Sequence, residues 1–259
     1  MSKKDTLYID TETTDVQSQD IIQIAFITDN PDIWMNIFLK PRQEISFGAM
    51  AIHNITPEMV ENEKYFEDAT VPKEGKDPEF EGNSLKEYMQ FLADKYVWVA
   101  HNADFDISVL AKKGIEVRDP ICTLKVARNA LTTSDGHDLE SYKLQYLRYY
   151  LGLYKNENQN HMTAHDALSD VYFLKDLYLY LKNNTKLSIE NMQLITKQPQ
   201  VMREMSFGKY MGKTFEEIER TDREYLEWLV DSMSDKPDLQ WNAKKALDDG
   251  LRSRTQSLF

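Results

Sequence analysis

The sequence predicts an α/β protein, with a mixed β-sheet flanked by helices and a small, mainly helical C-terminal domain. Three observations favour this fold class. Apolar runs with strand periodicity come first, helical and strand-like runs then alternate, and compact amphipathic segments close the chain. The 259 residues, 41% of them hydrophobic, suffice to fill a core.

The individual elements follow from periodicity and from turn signals. An antiparallel meander is predicted from three extended runs, at residues 7–10, 21–28 and 33–41. Further on, the spacing predicts a helix over 84–96, a buried strand over 97–101 and a helix over 104–114. Helical runs continue to about residue 185, whereas the polar stretches 70–83 and 154–161 predict mobile surface loops.

A domain boundary is predicted where the long helical run ends in "KNNTK". Residues 1–185 form the first domain, and 186–259 form a linker helix and a small C-terminal domain. The segment "GKYMGKT", residues 208–214, is one residue short of a phosphate-binding P-loop. A turn that exposes Lys209 and Lys213 is the favoured interpretation.

The charge and the apolar runs limit the class of protein. A net charge of −12 disfavours tight, sequence-independent coating of DNA and favours short engagement of an end. No apolar run is long enough to span a bilayer, and the single cysteine excludes an internal disulfide framework. We therefore expect a cytoplasmic protein without a membrane partner.

The first acidic motif is "LYIDTETTD", residues 7–15. Alternation along this run predicts a strand, so that Asp10 and Glu12 share one face. Two carboxylates at strand positions i and i+2 lie about 6 to 7 Å apart along the backbone. Both can reach one point in space.

The second acidic motif is "HNADFD", where a buried strand ends and a helix begins. Ligands of open sheets are commonly bound at such strand ends. Asp104 is able to cap the helix, because an aspartate there satisfies free backbone N–H groups. The structural alternative for Asp106 is only a weak favourable interaction of its carboxylate with the helix dipole, in the first turn of the helix.

The third motif is "HDALSD", which leads into a long helix. If Asp166 is the N-cap, His165 and Asp170 occupy the two positions whose side chains meet in a hydrophobic staple. A competing register has Thr163 as the cap and keeps His165 inside the helix. The sequence leaves both registers open.

The four acids of these motifs would repel one another if they met at the edge of the sheet. A single carboxylate pair about 4 Å apart costs on the order of 4 kcal/mol at an effective dielectric of 20. Ligand sets made only of oxygen suit Mg²⁺ or Mn²⁺, and two such ions clamp a phosphoryl displacement. Metal ligation is predicted for Asp10, Glu12, Asp106 and Asp170. His165 is the predicted base that activates water.

The three motifs, in this order, resemble those of the DnaQ-like exonucleases, which have an RNase H-like fold. The resemblance implies a 3′→5′ exonuclease that releases nucleoside 5′-monophosphates. Four further segments, among them "MAIHNITPEMV" and "FGKYMGKTFEEIERTDREYLEWL", are similar to one member of that family. By this likeness Ala51, Ile52 and His53 hold the terminal nucleotide, and Phe105 packs beside the scissile bond. The resemblance also extends the expected substrate-binding set to Thr11, Thr13 and Asn102.

The expected partner is DNA, bound at single-stranded or frayed 3′ ends, and only the resemblance favours DNA over RNA. The alternatives are an exoribonuclease of the same fold and a noncatalytic module that binds nucleic-acid ends or a clamp. The tail ending in Leu258 and Phe259 resembles peptides that dock on sliding clamps. The aromatic stretch at residues 142–154 is interpreted as core, with a base-stacking platform as the alternative.

Overall fold

The computed structural model of the chain describes residues 5–17, 19–156 and 167–256, which divide into two compact units. The first unit comprises residues 5–124 and 143–194. The second comprises residues 125–142 and 195–256. Among the helices of the described residues, none combines the length and the apolar character that crossing a membrane requires.

A five-stranded sheet forms the centre of the first unit. In chain order, its strands are β1 (Thr6–Thr13), β2 (Ile21–Thr28), β3 (Trp34–Phe38), β4 (Val97–Ala100) and β5 (Ile121–Cys122). The spatial order is β3-β2-β1-β4-β5. The first three strands are antiparallel, whereas β4 runs parallel to β1 and β5 runs parallel to β4. The predicted meander and the mixed character of the sheet are confirmed.

Helices pack on the sheet of the first unit and also form the apolar core of the second unit. Those of the described residues are α1 (Phe47–His53), α2 (Pro57–Val60), α3 (Leu85–Lys95), α4 (Ala103–Lys112), α5 (Thr123–Ala130), α6 (Leu144–Tyr150), α7 (Ala167–Thr185), α8 (Ile189–Lys197), α9 (Phe215–Thr221), α10 (Arg223–Ser232) and α11 (Pro237–Gln256). The N-cap of α3 is Ser84, whose hydroxyl accepts a hydrogen bond from the backbone N–H of Glu87. The predicted helix over 84–96 therefore agrees with α3 to within one residue at each end.

The central strand β1 is buried on both of its faces. Leu7 and Ile9 belong to the apolar core that also contains Tyr88 of α3. Tyr8 points to the other face, where its ring meets that of Tyr178 on α7, with centroids 5.5 Å apart. Because side chains alternate along a strand, the even-numbered residues of β1 lie on the face that α7 covers.

Residues 70–83, predicted as a mobile surface loop, contain a buried anchor. Asp77 is fully buried, and its carboxylate accepts hydrogen bonds from Tyr96 Oη at 2.7 Å and Lys95 Nζ at 2.8 Å. Burial alone would raise the pKa of Asp77, but these bonds outweigh it and hold the pKa below its ordinary value. The prediction missed this anchor because the partners lie 18 and 19 residues further along the chain.

Helices α9, α10 and α11 share an apolar core in the second unit. Its buried members include Phe215, Ile218, Leu226, Leu229 and Leu239. These residues recur at helical spacing, so each helix turns an apolar face inward. The predicted helical character of the C-terminal region is confirmed.

An arginine secures residues 125–142 within the second unit. The Arg203 guanidinium donates to Asp138 Oδ1 at 3.0 Å. It also donates to the backbone carbonyl oxygens of Arg128 and Asn129, at 2.6 and 2.9 Å. One side chain thus joins two segments that are about 65 to 75 residues apart in sequence.

Residues 208–210 form a single turn of 3₁₀ helix, and a turn at 211–212 then leads into the seven-residue helix α9. Lys209 pairs with Asp222 at 3.1 Å, and Lys213 lies 4.0 Å from Glu217. A P-loop needs a strand before it and a long helix after it. The turn interpretation is therefore confirmed, and the P-loop interpretation is not supported.

The Asp77 anchor leads to a stability prediction. We expect Asp77→Ala to lower the free energy of unfolding by about 3 kcal/mol, because the substitution leaves Lys95 and Tyr96 without their buried acceptor. The folded-state pKa of Asp77 is lowered, so its contribution is present above the unfolded pKa of about 3.9 and is lost as the pH falls further. Urea unfolding at pH 7 and pH 3 measures both effects.

Glu79→Gln is the matched control. Glu79 also contacts Lys95, at 2.9 Å, but its side chain is 71% exposed. Exposed ion pairs contribute about 1 kcal/mol or less. If the two variants unfolded at the same urea concentration, Asp77 would not be the anchor of this segment.

Candidate active site

Three carboxylates converge near the C-terminal end of β1. Asp10 and Glu12 extend from β1, and Asp170 extends from α7. One ligand oxygen from each lies within 4.8 Å of the others. This three-acid cluster forms because positions i and i+2 share a face of the strand and α7 packs on that face. Asp170 is 8% exposed, so little water screens its charge.

Helix α6 holds Asp170 in place. Gln145 Nε2 donates to Asp170 Oδ1 at 2.7 Å. Arg148 Nη1 in turn donates to Gln145 Oε1 at 3.0 Å, which fixes the orientation of the amide. Sequence reasoning missed Gln145, since a single amide in an aromatic stretch carries no specific signal.

Asp106 contacts β1 between the two strand acids and is not a member of the three-acid cluster. It is 3% exposed, and its Oδ1 accepts hydrogen bonds from the Thr11 backbone N–H at 3.0 Å and from Thr11 Oγ1 at 2.7 Å. Pairing of β1 with β4 ends at Tyr8 and Val99. Beyond that point a side chain from α4 supplies the acceptor that a longer β4 would have supplied.

The carboxyl of Asp106 is difficult to ionise in the metal-free protein. Burial raises the pKa of Asp106 to about 7, although the hydrogen bonds from Thr11 oppose the rise. The N-cap of α4 is Asn102, in the left-handed conformation, and Asp104 lies inside the first turn. The expectation that Asp104 caps this helix is therefore wrong.

A cavity of about 370 Å³ lies beside the three-acid cluster. Its lining includes Glu12 of the cluster and four residues predicted to contact substrate, namely Thr13, Ile52, His53 and Phe105. The other predicted contact residues lie outside this lining. Ala51 and Asn102 are exposed, whereas Thr11 is 5% exposed and donates both of its hydrogen bonds described above to Asp106.

His53 ends α1 and is 5% exposed, so it is not a solvated helix residue. Its Nδ1 accepts a hydrogen bond from the backbone N–H of Ile55 at 2.9 Å. Burial lowers the pKa of His53, against an opposite effect of the Thr13 carbonyl. A neutral ring that accepts at Nδ1 carries its proton on Nε2, and Nε2 is itself buried.

The remaining predicted site residue is His165, which lies outside the described residues. The two helix registers that differ in Asp166 and Thr163 fall in the same range. The described part of α7 has Asp170 in its first turn.

Comparison with known proteins identifies the class to which this fold and site belong. The model of the family described as "Exonuclease" matches residues 7–178, and the model of the "Exodeoxyribonuclease X-like C-terminal" region matches residues 205–232. The chain belongs to the exonuclease family and is a nuclease. Members of this family depend on divalent metal ions, and the three-acid cluster offers carboxylate oxygens that are able to ligate such an ion.

Individual relatives show which exonucleases the chain is similar to. Over 249 residues the chain is 32% identical to Exodeoxyribonuclease 10 of Escherichia coli (strain K12), a match that covers 93% of this chain and 97% of the relative. It is also 24% identical to the DNA polymerase III subunit epsilon of Buchnera aphidicola, over 93% of this chain and all of the relative. The solved structure of Exonuclease X in complex with 5′ overhanging duplex DNA matches with a TM-score of 0.52 and 28% identity, over 74% of this chain and 99% of that one. The resemblance to DnaQ-like exonucleases is confirmed.

The raised pKa of Asp106 predicts how the stability of the metal-free protein depends on pH. Between the ordinary value of 3.8 and about 7, the folded state binds more protons than the unfolded state, so the free energy of unfolding falls as the pH rises. The loss is roughly 1.4 kcal/mol per unit of pKa shift. Asp106→Asn keeps an acceptor for Thr11 and removes the charge, so this variant should unfold at higher urea than the parental protein at pH 8 in EDTA.

Asp104→Asn serves as the control, because Asp104 is an exposed acid in the same helical turn. Surface substitutions usually change stability by about 0.5 kcal/mol or less. Equal pH dependence of the parental protein and Asp106→Asn between pH 5 and pH 8 would contradict the assignment of a buried, ionisable Asp106.

Proposed function

We propose that this protein is a metal-dependent 3′→5′ exodeoxyribonuclease that releases nucleoside 5′-monophosphates from DNA 3′ ends. The observation that carries the proposal is the convergence of Asp10, Glu12 and Asp170 within 4.8 Å. Two relatives support DNA as the substrate, since one is named an exodeoxyribonuclease and another was solved as a complex with duplex DNA.

The residues at the site fit divalent cations. Three carboxylates this close repel one another, by on the order of 4 kcal/mol for a pair about 4 Å apart at an effective dielectric of 20. Their donor atoms are all oxygen, the ligand type that Mg²⁺ and Mn²⁺ prefer. We propose two such ions, held by Asp10, Glu12, Asp170 and Asp106. When bound, they supply charge stabilisation for the phosphoryl transfer and lower the pKa of bound water.

The protein side chains have separate roles in this proposal. His165, with an ordinary pKa near 6.5, takes the proton from the attacking water. Thr11 orients Asp106 through two hydrogen bonds, and Gln145 orients Asp170 through one. Both are positioning residues, because their donors contact a proposed metal ligand.

The cavity beside the cluster is the proposed site of the terminal nucleotide. Its volume of about 370 Å³ falls in the range of roughly 300 to 1,000 Å³ that is usual for small-molecule sites. Ile52 and Phe105 offer apolar surface to a base, and the ring of His53 forms part of the same lining. Ala51 and Asn102 are proposed to contact the same nucleotide from outside the lining.

The domain assignment, the location and one partner remain predictions. We propose that residues 1–185 form the exonuclease domain and that 186–259 form the linker helix and the C-terminal domain. A cytoplasmic location stays an expectation. The proposed sliding-clamp contact depends on Leu258 and Phe259, which lie outside the described residues.

The experiment that tests the function compares 5′-labelled DNA and RNA oligonucleotides of one sequence, with Mg²⁺ or EDTA. The proposal predicts stepwise shortening of the DNA from its 3′ end and release of mononucleotides, only with metal. Faster degradation of RNA would favour the exoribonuclease alternative. Binding of DNA ends without any product would favour a noncatalytic module.

Two variants test the site itself. We expect His165→Ala to lower kcat by about 10²- to 10⁴-fold, the usual contribution of a general base. Asp170→Asn should abolish detectable Mg²⁺-dependent release of mononucleotides. In EDTA its thermal stability should equal or exceed that of the parental protein, because the substitution relieves repulsion between like charges.

The control is Glu87→Gln, an exposed acid on α3, which covers the opposite face of the sheet from α7. Its rate of mononucleotide release should equal that of the parental protein. Digestion of DNA by Asp170→Asn at the parental rate would refute the metal-site assignment.

A further inference from the structure

Helix α6 presents tyrosines to solvent. Tyr149 is 58% exposed and Tyr150 is 49% exposed, whereas Leu147 on the same helix is fully buried. The sequence-based interpretation of this aromatic stretch as core is therefore wrong at Tyr149 and Tyr150. Large exposed aromatic side chains that lie together commonly mark a binding surface.

One of these tyrosines is linked to the acid cluster by a continuous series of contacts. Gln145 contacts Asp170, and Tyr149 lies four residues further along α6, on the same helix face and about 6 Å away. Arg148 connects the two. It donates to Gln145 at 3.0 Å, and its guanidinium lies 3.8 Å from the centroid of the buried Phe173 ring and 5.1 Å from that of the Tyr149 ring.

A second tyrosine, Tyr154, contacts the ring of Tyr149. The ring of Tyr154 lies 5.3 Å from that of Tyr149, and the planes are tilted by 45°. Lys155 Nζ lies 6.0 Å from the centroid of the Tyr154 ring. Two adjacent aromatic rings, those of Tyr149 and Tyr154, thus lie between two cations, Arg148 and Lys155, along one path that starts at Asp170.

This composition fits an unpaired nucleic-acid strand. Every base has an aromatic face that stacks on tyrosine, and every phosphate needs a cation nearby. The net charge of the chain is −12, so the protein as a whole repels phosphates. Along this path, Arg148 and Lys155 instead supply positive charge that attracts them. A paired base inside a duplex presents only its edges, so the tyrosine faces favour strands whose bases are unpaired.

We propose that Tyr149 and Tyr154 form a stacking platform for unpaired bases of the strand being degraded, upstream of its terminal nucleotide. The proposal rests on the proposed function, because that function places the 3′ end at Asp10, Glu12 and Asp170. The platform holds the strand after each terminal nucleotide leaves. Affinity for single strands should therefore rise with length until the strand spans the platform and should then level off.

The test pairs a protein variant with a change in the DNA. The probe is a 5′-fluorescein oligothymidylate of eight nucleotides, made resistant to cleavage by phosphorothioate linkages, with one abasic nucleotide placed in turn at each position. Its Kd is measured by fluorescence anisotropy with Mg²⁺ present. For the parental protein we expect one or two abasic positions to weaken binding about 5-fold or more, the usual effect of losing one base–aromatic stack.

The variant Tyr149→Ala should weaken binding of the intact probe by a similar factor. At the position that stacks on Tyr149, however, the abasic change should have no further effect in this variant, because the stacking partner is already absent. Tyr149→Phe should restore parental binding, since the ring is kept. The rate of hydrolysis of a dinucleotide, which is too short to reach the platform, should be the same for the parental protein and for Tyr149→Ala.

The matched control is Tyr150→Ala. Tyr150 lies on the same helix with similar exposure, but it is five residues from Gln145 and stacks on Tyr146 with centroids 5.7 Å apart. This places it about 140° around the helix from Gln145. Its removal should leave the Kd unchanged.

Different outcomes separate this proposal from the proposed function. Equal Kd values for the parental protein and Tyr149→Ala, or additive effects of Tyr149→Ala and every abasic position, would overturn the platform. Loss of dinucleotide hydrolysis in Tyr149→Ala would also overturn it, in favour of a role at the acid cluster. Absence of mononucleotide release by the parental protein, with the non-additive binding intact, would overturn the proposed function alone.

Discussion

Repulsion among like charges is the constraint on which the arrangement of this protein depends. Asp10, Glu12 and Asp170 hold their oxygens within 4.8 Å of one another, and isolated side chains with that charge would separate. Rigid elements prevent separation. Two of the acids are on the central strand of a sheet that is buried on both faces, and the third is on a long helix packed against that strand. The energy of core packing thus maintains a site that electrostatics opposes.

Neighbouring strands of unequal length bring a further carboxylate to the same site. Strand β1 has eight residues and β4 has four, so β1 continues past the end of its parallel neighbour. The backbone N–H of Thr11 then needs an acceptor, and Asp106 supplies it from the helix that follows β4. A requirement for backbone hydrogen bonding therefore delivers a fourth carboxylate to the strand that carries the first two. Burial makes that carboxylate reluctant to ionise, and a bound cation would reverse this tendency.

The overall charge and the local charge of this protein serve different purposes. A net charge of −12 would repel nucleic acid from most of the surface and so disfavours binding along internal DNA. In the proposed function, binding of an end needs only local attraction, which metal ions would supply at the acid cluster and which Arg148 and Lys155 would supply beside Tyr149 and Tyr154. Selectivity for strand ends is thus compatible with an acidic protein.

The sequence by itself determined the elements and their chemistry. Apolar periodicity located β1, β2 and α3, and the two-residue period of a strand was enough to place Asp10 and Glu12 on one face. These features are local, so neighbouring residues suffice to specify them. Only the tertiary structure decided that Gln145 holds Asp170, that Thr11 holds Asp106 and that Tyr149 faces solvent. Each of these depends on which face of one element packs against another, and residues far apart in the chain set that packing.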